Sequence, residues 1–76
     1  MQDEIKDVIA DVLGVSVASL ADDLAPGDIP EWDSLRHVMV LTALEKAFNI
    51  KFRREELLDV EDLSELVALV EEKAQS

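Results

Sequence analysis

The amino-acid sequence predicts an all-α fold, a small four-helix bundle of three main helices and one short helix, with a long loop between helices 1 and 2. Three observations lead there. Apolar residues recur at helical spacing in separate segments of the chain. The composition is 49% hydrophobic with only three aromatics, Trp32, Phe48 and Phe52, so the core must be built mainly from Leu, Val, Ile and Ala. The aromatic and β-branched alternation that strands use is wanting. At 76 residues the chain makes one domain, 1–76, whose stability depends on a well-packed core; an enzyme with its own substrate pocket is not expected at this size.

The first helix is carried by Ile5, Val8, Ile9, Val12 and Leu13 at i, i+3, i+4, i+7, i+8 spacing, with Asp3, Glu4, Lys6, Asp7 and Asp11 on the opposite face. Asp3 and Glu4 lie where the positive end of the helix dipole favours them, and Gly14 is placed to end it. The twenty residues from Gly14 to Asp33 have no convincing helix or strand, which in so small a domain asks for a function. Their single apolar residues, Val15, Val17, Leu20, Leu24 and Ile29, read as pegs pinning a loop across the bundle, with one possible turn around Ala18 to Ala21. Pro26, Gly27 and Pro30 forbid a helix through the second half.

Leu35 to Phe48 is the second helix, capped by Asp33 or Ser34 and ended by Asn49 in a left-handed conformation. Its run VMVLTAL is apolar nearly all round, which predicts burial on most faces. Arg53 to Leu58 is the short helix, with Leu57 and Leu58 facing inward. Asp62 caps the last one, which carries Leu63, Leu66, Val67 and Val70 on one face, widened by Leu69, and runs to about Lys73. Residues Lys73 to Ser76 are expected to fray.

The net charge is −11, distributed as −8 over residues 1–35, +4 over 36–54 and −7 over 55–76. Such acidity disfavours nucleic acid, and serves either solubility alone or association with basic protein surfaces. The absence of cysteine excludes disulfides, thiolate metal sites and cysteine nucleophiles, so any thiol chemistry must come on a cofactor. The acidic, charge-interrupted start MQDEIKDVIADVL is neither a signal nor a transit peptide, and no apolar run is long enough to span a membrane. A cytoplasmic protein is the expectation.

One stretch concentrates the chemistry: Asp33, Ser34 and Leu35 stand immediately before the most apolar helix. A serine at a helix start is commonly just a cap. The same position offers unpaired backbone N–H groups and the positive end of a dipole, so a phosphate ester on Ser34 would sit in a favourable field.

The DSL triplet followed by an apolar helix ending LEKAFNIKF resembles the attachment motif of acyl carrier proteins. The likeness extends over nearly the whole chain: an opening helix, a long loop with Asp22, Asp23 and Leu24, the triplet, a short third helix and a closing one. The WDSL form, with Trp32 before the triplet, is similar to small discrete carriers of bacterial biosynthetic pathways. The resemblance implies that Ser34, flanked by Asp33 and Leu35, bears a covalent 4′-phosphopantetheine arm from coenzyme A, whose thiol holds an acyl or aminoacyl group as a thioester. It further implies a monomeric non-catalytic carrier served by a phosphopantetheinyl transferase and by acyl-activating or acyl-transferring enzymes. Val38, Leu41 and Leu44 are then either lining for a sheltered acyl chain or ordinary core.

In many carriers of fatty acid synthesis, within this family, the helix after the serine presents acidic side chains to basic partners. Here Arg36, His37 and Met39 stand on that helix, and the surviving acids are Glu45, the group before the serine (Asp28, Glu31, Asp33) and Glu55, Glu56 and Asp59. This departure points to dedicated partners in a specialised pathway, with Arg36, Met39, Glu45, Glu55 and Glu56 as candidate partner contacts. The alternative for Met39 is core, and for Arg36 a solvated charge. Trp32 either anchors the loop over the helix ends or meets a partner. Neither His37 beside Ser34 nor the pair Asp22 and Asp23 makes a catalytic or metal site. The rival readings are a peptidyl or aminoacyl carrier and a cofactor-free helical interaction module.

Overall fold

The structure, a computed structural model, describes residues 1–75. Four helices follow in order: α1, Gln2–Leu13; α2, Ser34–Phe48; α3, Arg54–Leu58; and α4, Leu63–Gln75. The all-α expectation holds, with no strand among the described residues. Helix α4 continues to Gln75, so no fraying begins at Lys73, and Ser76 lies outside the described residues.

The core is a single cluster to which Ile5, Ile9 and Leu13 of α1, Val40 and Leu44 of α2, and Leu63, Leu66, Val67 and Val70 of α4 contribute. No polar or charged residue is buried among the described residues, so packing of aliphatic surface is what holds the bundle together. Helix α1 packs against both α2 and α4. Its end is closed by Gly14 at φ +71°, and the N–H groups of Gly14 and Val15 both donate to Ala10 O, at 2.9 and 3.1 Å. Asn49 ends α2 in the same left-handed conformation, at φ 55°.

The loop from Gly14 to Asp33 is ordered by its own turns and by two anchors in the core. Leu20 and Trp32 are buried, while Val15, Leu24 and Ile29 pack against the cluster. Val17, expected as a peg, is exposed; it opens a single 3₁₀ turn, Val17–Ser19, that sits close to the turn expected at Ala18 to Ala21. Tight turns complete the loop: Asp28 N donates to Ala25 O, Trp32 N to Ile29 O and Gly27 N to Trp32 O, the last at 2.7 Å. Its carbonyls serve α4, since Leu63 N donates to Leu24 O at 2.8 Å and Ser64 N to Asp22 O at 2.9 Å. Asp62 caps the same helix by accepting from Glu65 N at 3.0 Å, as its position predicts.

Two expectations about burial are corrected. Only Val40 and Leu44 of α2 are buried, whereas Leu35 is 71% and Val38 59% exposed, with Met39 beside them. The helix lies at the edge of the bundle, packed along one side by α1 and α4. Leu58 is 77% exposed while Leu57 is half-buried, because adjacent residues on a helix point about 100° apart and a five-residue helix turns just one of them inward. Helix α3 is instead held by charge: the Glu56 carboxylate accepts from Arg53 N at 2.7 Å and meets Lys73 Nζ of α4 at 2.9 Å. Lys73 first, then the Arg53 N–H, hold that carboxyl below its ordinary pKa.

Candidate functional site

Ser34 is the first residue of α2, and it is exposed. The capping role left open between Asp33 and Ser34 belongs to Asp33, whose Oδ1 accepts from Arg36 N at 2.8 Å. The main-chain carbonyl of Asp33 accepts from His37 N at 2.9 Å and starts the helical ladder. Among the described residues the Ser34 hydroxyl makes no hydrogen bond, and neither do the N–H groups of Ser34 and Leu35. A serine freed of capping thus stands beside unsatisfied donors at the positive end of a fifteen-residue helix. Those groups suit a phosphate ester: an accessible oxygen to carry it and N–H donors to meet its charge.

The wall next to the serine is set by Trp32, 1% exposed. Its indole Nε1–H donates to His37 Nδ1 at 3.1 Å, and the two rings lie 6.0 Å apart at 39°. Trp32 is therefore the loop anchor of the two roles considered for it. Pro26, Gly27, Trp32, Asp33, Ser34 and His37 line a groove of about 330 Å³. Burial pushes the His37 imidazole below its ordinary pKa of 6.5.

That shift has a sign. A base whose pKa is lower when folded is protonated more readily in the unfolded chain, so its stabilisation is complete above 6.5 and is lost as pH falls through the folded pKa. Protonating Nδ1 also removes the acceptor that Trp32 uses. The thermal midpoint of the wild type should therefore fall between about pH 7.5 and about pH 5.5 more steeply than that of His37→Gln. Equal slopes would remove His37 from the account. Glu56 and Asp62, whose carboxyls are also depressed, act only at lower pH, below their ordinary values of 4.5 and 3.8.

The other predicted site residues are not drawn into one cluster. Arg36 is exposed, yet its guanidinium turns back to cap α1, with Nη1 donating to Leu13 O at 3.0 Å. Glu45 accepts from Phe52 N at 2.9 Å and so fixes the connection between α2 and α3. Glu56 is the α3 to α4 clasp already described, while Glu55 is exposed. Met39 lines a separate apolar groove with Val12 and Val38, about 540 Å³ in volume. Of the three residues considered for an interior acyl site, Leu44 is core, Leu41 packs against the core, and Val38 faces outward. Sequence reasoning missed the Trp32–His37 bond; its only signal was the spacing of an aromatic and an imidazole five apart across a helix start.

Residues 3–70 match the family model described as phosphopantetheine attachment site. Among solved structures, the holo acyl carrier protein from Geobacter metallireducens, determined by solution NMR, matches with a TM-score of 0.86 at 28% identity. That likeness covers 97% of this chain and 85% of the other. No curated protein matches the sequence. A four-helix domain matched to that family model over residues 3–70 is a phosphopantetheine-bearing carrier. The chain belongs to the acyl carrier protein family: it is a carrier of acyl groups rather than an enzyme, and its cofactor is covalently attached 4′-phosphopantetheine.

Proposed function

We propose that Ser34 bears the arm and that the chain serves a dedicated set of partner enzymes in a specialised biosynthetic pathway. The observation that carries the first part is the division of labour at the start of α2: Asp33 caps, and the Ser34 hydroxyl is left exposed and unbonded. When bound, the arm supplies the thiol, absent from the chain itself, on which cargo is held as a thioester. The protein's share is to expose Ser34, to keep the loop that leads to it in place through Trp32 and Leu20, and to offer a docking face. Intact-mass analysis after incubation with a broad-specificity transferase and coenzyme A tests this. One added phosphopantetheine on the wild type supports it, and an unchanged mass with several such transferases would sink it.

The exposed row of Leu35, Val38 and Met39 supports the second part, because it begins one residue after Ser34 and is apolar where many carriers are acidic. The basic pair Arg36 and Lys46 stands on the same helix, and acids Glu55 and Asp59 lie on and just after α3, so partners must read a mixed surface. Such interfaces are small and transient, with salt-dependent encounter. Leu35→Ala combined with Val38→Ala should lower transferase kcat/KM about tenfold while changing stability by no more than about 0.5 kcal/mol. An unchanged kcat/KM would move docking elsewhere. The same reading has the chain act as a cytoplasmic monomer, in keeping with the self-repulsion of a −11 charge.

A further inference from the structure

His37 lies one turn beyond Ser34 on α2. Side chains on a helix tilt toward its N-terminus, so a residue at i+3 leans back over residue i. On its other side the ring is held by Trp32, five residues earlier, whose indole donates to His37 Nδ1. That bond fixes the proton on the other nitrogen. With Nδ1 accepting, the neutral imidazole carries its hydrogen on Nε2, which makes no hydrogen bond among the described residues. Ser34 and His37 line one groove, and Trp32, nearly fully buried, keeps the ring from swinging out of it.

We propose that the Nε2–H of His37 donates to a non-ester oxygen of the phosphodiester on Ser34, making His37 a positioning residue for the arm. The assignment rests on Ser34 being the attachment point. The N–H groups of Ser34 and Leu35 share the same charge, and together the three donors hold the first segment of the arm in the groove wall formed by Trp32 and Pro26. The apolar row Leu35, Val38 and Met39 is thereby left clear for partners. Competing charges are accounted for. Asp33 lines the groove, but its Oδ1 is engaged by Arg36 N; Asp28 in the adjoining turn accepts from Ala25 N; Glu31 is exposed; and the Arg36 guanidinium is turned to Leu13 O.

The test compares apo and holo protein by NMR, using holo protein whose added arm has first been verified by intact mass. In both forms the imidazole should be the Nε2–H tautomer at neutral pH. The nearby anion should raise the pH at which His37 titrates in the holo form, and the phosphorus resonance of the arm should shift with the same midpoint. In His37→Phe that titration of the phosphorus signal should disappear while the arm remains attached. Superimposable His37 titrations in apo and holo wild type, or a phosphorus signal insensitive to that titration, would overturn the proposal, and this comparison needs no variant that has to fold. A wild type that never gains the arm would instead overturn the assignment of Ser34.

Discussion

Ser34→Ala is expected to take up no phosphopantetheine and to fold nearly as well as the wild type. The first half follows from chemistry, because alanine has no oxygen to carry a phosphodiester. The other exposed serines among the described residues are engaged away from the start of α2: Ser16 and Ser19 hydrogen-bond each other at 3.0 Å, and Ser64 donates to Asp62 Oδ1 at 2.8 Å. The second half follows from the capping geometry. Asp33 accepts the Arg36 N–H, so loss of the Ser34 hydroxyl removes no hydrogen bond made among the described residues, and the expected cost is at most about 0.5–1 kcal/mol. Asp33→Ala makes the contrast: it removes the cap itself and should cost about 1 kcal/mol, while the Ser34 oxygen remains. Intact mass and urea denaturation of the two variants separate the roles. Arm attachment to Ser34→Ala would place the site elsewhere, and a loss of several kcal/mol in that variant would make the serine structural.

The helices and their ends were legible because they depend on local signals. Gly14 and Asn49 adopt the left-handed conformation that their residue types favour, and Asp62 caps α4 as its place before an apolar run implies. The carrier family was legible for a related reason: the triplet, its order among the helices and the acidity of the chain are all sequence properties, and residues 3–70 match the phosphopantetheine attachment family. What escaped was long-range. The bond from Arg36 to Leu13 O joins residues 23 apart, and that from Phe52 N to Glu45 depends on how the chain turns after α2. Neither spacing has a periodic signature. The outer face of α2 was misjudged because hydrophobicity reports the preference for burial without distinguishing a core face from an exposed apolar one. VMVLTAL reads as buried on most faces, and the exposed Val38 and Met39 appear only when the neighbours of the helix are known.

Trp32→Ala should be the most damaging single substitution near the site, with an expected cost of about 3–5 kcal/mol. The indole is 1% exposed and is the largest of the fully buried side chains. Its removal leaves a cavity where the loop meets the bundle and deprives His37 Nδ1 of its donor. The total stability of a domain this size is on the order of 4–11 kcal/mol, so such a loss leaves a substantial unfolded population. Trp32→Phe separates packing from hydrogen bonding. It keeps most of the apolar contact and loses the N–H, so its cost should be nearer 1–2 kcal/mol, roughly one net hydrogen bond plus imperfect filling of the site. Because Trp32 is the only tryptophan, unfolding has to be followed by far-ultraviolet circular dichroism rather than indole fluorescence. The order of stability should be wild type, then Phe, then Ala, and transferase loading of the Phe variant should survive because Ser34 and its cap are untouched. If Trp32→Ala were within about 1 kcal/mol of the wild type, the indole would not be the anchor of the loop. The ordered approach to Ser34 would then have to rest on Leu20 and on the carbonyls of Asp22 and Leu24 that meet α4.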